Sequence, residues 1–199
     1  VMRRILDGRK HIVVPDDGQV LLSRGYAVNM AHAVLLAVDQ PEASGGKIYN
    51  CADVHQFTLA QWVEVIIDTM GGALEVVSIP GPYAYPARDF LIGKAVINHQ
   101  LFDVHRMRAD LGYTDIVPPL EGLAETVRWY RDNPPELDAE YEDDLAAHYR
   151  TEDELVAINA EFTARLANVE HVSGPYTHTY ALSLKHIRRC RRSTTSRSR

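Results

Sequence analysis

Hydrophobic and polar positions alternate along residues 1 to 170 in short blocks that predict a mixture of strands and amphipathic helices. The runs HIVVP at 11–15 and VLLSRGY at 20–26 have the apolar, β-branched composition of strands, and the Asp17-Gly18 pair between them predicts a hairpin. Two further strands are predicted by KIYNCA at 47–52 and LEVVSIP at 74–80. The pattern therefore predicts an α/β fold.

Helical periodicity is clearest after Thr58, an expected N-cap, where LAQWVEVIIDTM places its apolar residues on one face before Gly71. Asn29 is likewise expected to cap a helix that runs to about Val38. Further helices are predicted in FDVHRMRADLGY and between the prolines of VPPLEGLAETVRWYRDNPP.

The last periodic segment follows an acidic stretch. Residues 136–154 hold nine acids and one arginine, which is typical of a solvated face or a linker. Thr151 and Glu154 then form a predicted capping box for a final helix with one apolar face. The expected organisation is a main body over residues 1–135, an acidic helical extension over 136–170, and a basic, disordered tail over 171–199.

Charge is distributed unevenly along the chain, whose formal net charge is −6. The tail holds six arginines between 188 and 199, so the rest carries 15 basic against 27 acidic residues. An acidic body argues against nucleic acid as the main partner, and short basic ends are usually solvated. No apolar run reaches 18 residues, so no membrane span is expected. The start lacks an apolar signal region, and Cys51 and Cys190 suggest neither a metal site nor a disulfide, which favours a reducing, cytoplasmic location.

Candidate catalytic chemistry is sparse. The sequence contains no G-x-G-x-x-G, no P-loop, no G-x-S-x-G, no H-E-x-x-H and no Tyr followed four residues later by Lys. The spacing of His99, Asp103 and His105 matches no usual metal-binding pair, and no metal site is predicted. No catalytic residue is therefore assigned within this chain.

Arg24 is the most informative charged residue, because it stands at a predicted strand-to-helix junction close to buried structure. A guanidinium in such a place needs an anionic partner. The sequence leaves two alternatives open, a surface salt bridge with one of the many acids or a ligand phosphate. The irregular segment PGPYAYPARDF at 80–90 is a second candidate for contact with a ligand.

The order of these segments resembles the C-terminal half of an extended short-chain dehydrogenase/reductase of the NAD-dependent epimerase/dehydratase family. The resemblance covers about residues 1–135 and is carried by RRILDGRKHIVVPDDG, SRGYAVNMAHAVLLAVDQPEASGGKIYNCAD, TLAQWVEVIIDTMG, FDVHRMRADLGY and VPPLEGLAETVRWYRDNPP. It implies the substrate-binding lobe of a Rossmann-type protein. The family's glycine-rich cofactor loop and catalytic Tyr-x-x-x-Lys lie upstream of this lobe, so the chain is expected to be a fragment that does not catalyse alone.

The resemblance also implies roles for particular residues. Arg24 and Tyr26 match the arginine and aromatic that meet the nucleotide diphosphate in sugar-nucleotide members. Many members have Arg-x-Gly-Asp after the strand matched by VVSIP, whereas here Arg88 lies several residues later and Tyr83 and Tyr85 offer stacking surfaces. These three residues are expected to contact the substrate, whose identity the departure leaves open. Asn29 and Arg106 are expected to support the residues that touch the substrate.

For the complete protein the resemblance implies NAD or NADP, oxidoreductase or isomerase chemistry, and a small-molecule substrate such as a phosphorylated nucleotide sugar. The chain alone is expected to bind neither cofactor tightly, and a homodimer is left open. The alternative function is a non-catalytic binding or interaction module, with RNA binding through the basic tail.

Overall fold

Seven α-helices and four short strands make up the part of the chain that the computed structural model describes, residues 1–91 and 98–170. The helices are α1 (Met2–Leu6), α2 (Ala27–Asp39), α3 (Pro41–Ser44), α4 (Leu59–Met70), α5 (His105–Leu111), α6 (Pro119–Asp132) and α7 (Ala139–Leu166). The strands are β1 (His11–Pro15), β2 (Leu21–Leu22), β3 (Phe57–Thr58) and β4 (Glu75–Ile79). Single turns of 3₁₀ helix cover Asp16–Gly18 and Gly81–Tyr83, and a longer one covers Tyr85–Phe90. The α/β prediction is confirmed.

The strands pair differently from the sequence prediction. β1 runs parallel to β4 with Val13 opposite Val77, while β2 pairs antiparallel with β3. The hairpin predicted at Asp17-Gly18 is therefore wrong. Asp16 accepts a hydrogen bond from Gly81 N at 3.0 Å, and Asp17 N donates to Ser78 Oγ at 2.9 Å. These hydrogen bonds hold the turn against the end of β4 and the loop that follows it. The chain therefore leaves β1 without forming a hairpin.

One predicted strand is shorter than expected, and another does not form. The run at 20–26 forms a strand only over Leu21–Leu22, and residues 47–52 form none. The latter segment is held by side chains, since the Tyr49 hydroxyl donates to Asp110 at 3.0 Å and Asn50 Nδ2 donates to Asp103 O at 3.2 Å. These contacts hold the segment against α5 and the turn that precedes it.

The β1–β4 pair is the central layer of the described core. Ile12 and Val14 face α4, where they pack with Leu59 and Val63. Val13 faces the opposite side, in a cluster completed by Val77, Ile79, Ala84 and Ala87, with Leu155 and Val156 of α7 packed against it. A strand buried on both faces explains the unbroken apolar run of β1. A third cluster joins α2 to α5 through Ala33, Met107, Leu111 and Tyr113.

Helix starts were predicted with mixed success. At α4 the predicted Thr58 cap is confirmed, because Thr58 Oγ1 accepts from Gln61 N at 3.2 Å, and Gln61 completes a capping box by accepting from Thr58 N at 2.8 Å. The Asn29 cap is wrong. α2 begins after Tyr26, no side chain caps it, and Asn29 lies buried inside its first turn.

The Thr151 capping box is also wrong, because α7 runs without interruption from Ala139 to Leu166. The Thr151 hydroxyl donates back to Ala147 O at 3.2 Å, which lets a threonine remain inside a helix. Glu140 and Glu142 lie in the first turn, where their negative charge interacts favourably with the positive end of the helix dipole.

α7 is anchored to the core by Glu152, which is fully buried. Its carboxylate accepts from Arg4 Nε at 3.1 Å and from the backbone N–H of Val13 at 3.0 Å. Arg4 is only 6% exposed, and its guanidinium lies 5.5 Å from the centre of the Tyr149 ring. The acidic stretch is therefore neither a linker nor uniformly solvated.

The chain divides into two compact units, Val1–Phe162 and Thr163–Arg199. The first contains all the strands and the core described above. In the second, the end of α7 is followed by a turn in which Val169 N donates to Leu166 O at 3.0 Å. The predicted basic tail, 171–199, lies outside the described residues. Among the helices of the described part, none is both long enough and apolar enough to span a bilayer.

Candidate functional site

Arg24 follows β2 and projects toward α4. Its Nη2 donates to the carbonyl of Phe90 at 2.9 Å, and its guanidinium lies 5.5 Å from the centre of the Trp62 ring. Burial lowers the pKa of the guanidinium, and its Nε is buried without a hydrogen-bond partner among the described residues. Among the carboxylates whose side chains the structure describes, none forms an ion pair with Arg24, so the salt-bridge alternative has no partner in that set.

A cavity of about 510 Å³ opens beside Arg24, between the start of α2, α4 and α6. Its walls are formed by Ser23, Arg24, Gly25, Tyr26, Ala27, Asp53, Trp62, Pro119, Leu123 and Thr126. This size lies within the range of small-molecule sites. The structure thus brings together two of the residues that the sequence selected, Arg24 and Tyr26.

Tyr26 forms one wall of this cavity. Its ring packs directly on Gly122 of α6, where an added Cβ would lie 2.5 Å from a ring carbon. Its hydroxyl lies 2.5 Å from Glu125 Oε2, and this hydrogen bond raises the pKa of the phenol. With its hydroxyl engaged by Glu125, Tyr26 offers mainly its ring to a ligand.

Asp53 is an acidic group in the cavity that the sequence analysis missed. It is buried, and its carboxylate accepts from the backbone N–H of Tyr26 at 3.0 Å and from Asn29 Nδ2 at 2.9 Å. Burial raises the pKa of this carboxyl, while the two hydrogen bonds act in the opposite direction. A carboxylate therefore lies beside the start of α2. No local pattern in residues 50–54, NCADV, indicated it.

Asn29 lies behind Asp53 and connects three segments. Its Nδ2 also donates to Val117 O at 2.9 Å, and its Oδ1 accepts from Ile116 N at 3.1 Å and Val117 N at 3.0 Å. All the polar atoms of this amide are engaged. The arrangement orients Asp53 and holds α2 against the loop before α6.

Trp62 was predicted from its periodicity as a core residue, and it is 8% exposed. Phe57 meets its ring edge-on, with the centroids 6.1 Å apart. Its indole Nε1 is buried without a hydrogen-bond partner among the described residues. Sequence periodicity identifies the buried ring but cannot show that its N–H is unpaired.

The other predicted substrate-binding residues lie elsewhere. Tyr83 and Tyr85 are 60% and 50% exposed and line a separate apolar cavity of about 490 Å³ with residues of α7, including Ile158 and Phe162. The Arg88 guanidinium lies 4.4 Å from the centre of the Tyr85 ring. The structure therefore does not place these three side chains in the walls of the Arg24 cavity, and their contact with a substrate stays a prediction.

Arg106 also lies away from the cavity. It is exposed, donates to Ile48 O at 3.2 Å and approaches Asp110 at 3.8 Å. Among the residues considered as metal ligands, His99 Nδ1 accepts from Leu21 N at 3.0 Å, and Asp103 accepts from His105 N at 2.7 Å. The described residues contain no cluster of three groups suited to a metal ion.

No protein-family model matches the chain. The uncharacterized protein YbjS of Escherichia coli K12 is 25% identical over 144 residues, which cover 61% of this chain and 42% of that protein. The structure of UDP-glucose 4-epimerase from Thermotoga maritima with UDP-glucose matches 67% of this chain and 38% of its own, with a TM-score of 0.51 and 21% identity. UDP-glucose 4-epimerase from Bifidobacterium longum, with NAD⁺ and UDP, has the same coverage, a TM-score of 0.50 and 15% identity.

The chain has the fold of the C-terminal part of extended short-chain dehydrogenases/reductases, as the sequence resemblance predicted. It spans about two fifths of the length of the proteins that it matches. At these identities the likeness concerns the fold alone.

Proposed function

We propose that this chain supplies the substrate-binding lobe of an NAD(P)-dependent epimerase, dehydratase or reductase, and that the Arg24 cavity binds a phosphate group of a small-molecule substrate. A nucleotide sugar is the first candidate. The supporting observation is a half-buried guanidinium that lines a cavity of about 510 Å³ and has no carboxylate partner among the side chains that the structure describes.

The chemistry of the guanidinium favours a phosphate. Arginine presents several donors in a planar fork that matches phosphate oxygens, and it remains charged when it is partly buried. One Nη of Arg24 is engaged by Phe90 O, which fixes the orientation of the side chain. Because that contact holds the side chain in place, the other N–H groups of the guanidinium have fixed directions. A ligand would therefore bind an ordered group.

Asp53 restricts how a phosphate can lie in this cavity. An ionised carboxylate repels a phosphate, so we expect the bound group to lie nearer Arg24 and Trp62 than the start of α2. Because burial raises the pKa of Asp53, protonation of this carboxyl reduces the repulsion. Phosphate affinity is therefore expected to fall as the pH rises through the pKa of Asp53.

The cofactor site is not assigned to residues of this chain. Nicotinamide cofactors in Rossmann folds lie on a glycine-rich turn at a helix N-terminus, and the sequence has no such motif. We assign to this chain only the binding and orientation of the substrate.

Calorimetric titration of the 199-residue chain with UDP-glucose tests the proposal. In Arg24→Gln the charge and the planar fork of donors are lost, and the side chain remains polar but is shorter. We expect affinity to fall about ten- to a hundred-fold, or roughly 1.5–3 kcal/mol for a charged hydrogen bond. Arg108→Gln is the matched control, because Arg108 is exposed and lies outside the cavity walls.

Equal affinity in the Arg24→Gln variant, together with a large loss of thermal stability, would show that Arg24 is a structural residue. A parallel titration with NAD and NADP examines the cofactor assignment. Micromolar binding of either by this chain would show that a cofactor site lies within it.

A further inference from the structure

The apolar cavity of about 490 Å³ beside α7, called the α7 cavity below, shares no lining residue with the Arg24 cavity. Its walls come from the end of β4, the two 3₁₀ segments that follow it, and α7, all within the compact unit Val1–Phe162. Four of its large side chains, Tyr83, Tyr85, Ile158 and Phe162, are between 50% and 60% exposed. A concave cluster of exposed apolar side chains is typical of a ligand site.

Buried structure holds the walls of the α7 cavity in place. Ile79 belongs to the cluster around Val13, and Leu155 of α7 packs against that cluster. Three residues before Leu155, the buried carboxylate of Glu152 accepts from the backbone N–H of Val13. Leu155, Ile158 and the other lining residues of α7 lie on one side of that helix, as their spacing requires. The cavity is therefore formed before any ligand binds.

The polarity of the walls restricts the charge of the ligand. Among the described residues that line the cavity, none is Asp, Glu, Lys or Arg. A charged ligand would lose hydration there without gaining an opposite charge in the wall. The Asn159 amide and the hydroxyls of Tyr83 and Tyr85 can each donate and accept a hydrogen bond. The walls therefore suit an uncharged, mainly apolar ligand with one or two hydrogen-bonding groups.

The size and ring content of the cavity indicate the kind of apolar group. An apolar cavity of about 150 Å³ holds one benzene molecule, and the α7 cavity, at about 490 Å³, is roughly three times larger. Tyr83, Tyr85 and Phe162 supply rings that can stack on, or meet edge-on, the rings of a ligand. We propose that the α7 cavity binds an uncharged aromatic molecule of about two or three rings. This site is independent of the phosphate site proposed at Arg24.

A matched pair of fluorescent probes tests the charge and shape of the ligand. N-phenyl-1-naphthylamine is uncharged and has three aromatic rings, and 8-anilinonaphthalene-1-sulfonate has the same rings with an added sulfonate. Fluorescence titration of the full chain should show saturable binding of one N-phenyl-1-naphthylamine per chain. The sulfonate should bind about tenfold more weakly or less, because the walls do not compensate its charge.

A charge placed in the wall tests the location. Ile158→Glu should weaken binding of the uncharged probe about tenfold or more, with the melting temperature nearly unchanged, because Ile158 is 56% exposed. Ala160→Glu is the matched control, since it adds the same charge at an exposed position of the same helix outside the walls. It should leave binding of the probe unchanged.

Methyl spectra locate the ligand without any substitution. With isoleucine methyl groups labelled with ¹³C, titration with the more soluble 2-naphthol should shift the signals of Ile79 and Ile158, because both line the cavity and a bound ring lies close to them. Ile48, which is 85% exposed and outside the walls, should keep its position. If Ile158→Glu fails to fold, these shifts decide the question.

Several outcomes would overturn the proposal. They are an absence of saturable binding, equal affinity in Ile158→Glu, equal affinity for the sulfonate, and unchanged Ile79 and Ile158 methyl signals. If sedimentation shows that the unmodified chain is a dimer and Ile158→Glu a monomer, the cavity is a contact between two copies, which also overturns it. Titration of Ile158→Glu with UDP-glucose separates this proposal from the proposed function, because that affinity should not change.

Discussion

Removal of the Glu152 carboxylate should detach α7 from the core. In Glu152→Ala, Arg4 loses the carboxylate that accepts from its Nε at 3.1 Å, and the backbone N–H of Val13 loses its acceptor at 3.0 Å. Both partners are buried, with Arg4 6% and Val13 0% exposed. Water therefore cannot replace the lost oxygen without opening the contact between α7 and β1.

The expected magnitude follows from this geometry. Removing one member of a buried ion pair costs about 3–5 kcal/mol, because the remaining charge is left buried and uncompensated. The unpaired Val13 N–H adds to this cost. We expect the free energy of unfolding to fall by about 3–5 kcal/mol. Replacing both Arg4 and Glu152 with methionine should cost less than Glu152→Ala alone, because no buried charge remains.

Urea denaturation followed by circular dichroism measures this change. Glu154→Ala is the matched control, because Glu154 is an exposed acid two residues further along the same helix. It should change the free energy of unfolding by less than about 0.5 kcal/mol. A Glu152→Ala variant within 1 kcal/mol of the unmodified chain would refute the reasoning, since it would mean that α7 is not held by this carboxylate.

Two further substitutions test the cavity wall and the surface charges. Gly122→Ala places a Cβ 2.5 Å from the Tyr26 ring, so urea denaturation should show a loss of about 1–3 kcal/mol from overpacking. The gain of up to about 1 kcal/mol that alanine brings in an open helix would contradict this contact. The pKa of Asp110 is lowered by hydrogen bonds from Lys47 and Tyr49. Its stabilisation is therefore present above the ordinary carboxyl pKa and is lost as the pH falls through the lower folded value. Asp110→Asn should flatten the fall of the urea midpoint below about pH 4, and an unchanged acid dependence would contradict the role of these contacts.

Local features of the fold could be predicted from the sequence. The start of α4 depends on Thr58 and Gln61, three residues apart, and its end on Gly71 in a left-handed conformation with φ of 65°. Both contacts close within one helical turn, so local pattern is sufficient to predict them. The apolar run of β1 likewise predicted a strand, although the hairpin partner that it suggested was wrong.

The site could be predicted only in part. Arg24 was identified because a charge beside apolar runs is conspicuous in any sequence. Asp53 and the indole N–H of Trp62 were missed, since an acid in a loop and a tryptophan on an apolar face have ordinary explanations. Their importance depends on lying beside Arg24, which approaches Trp62 across 38 positions of the chain.

What the sequence by itself determined is the presence of α2, α4, α5, α6 and of the strands β1 and β4, because hydrophobic periodicity, caps and glycine stops act over a few residues. The tertiary structure alone decided that β1 pairs with β4 about 60 residues away and that α7 continues through Thr151. It also decided that Glu152, in a stretch that resembles a solvated face, is buried against Arg4, 148 positions away. The physical reason is the same in each case: the free energy of a strand pair or a buried charge depends on its partner, and the partner is brought near only by the folded chain.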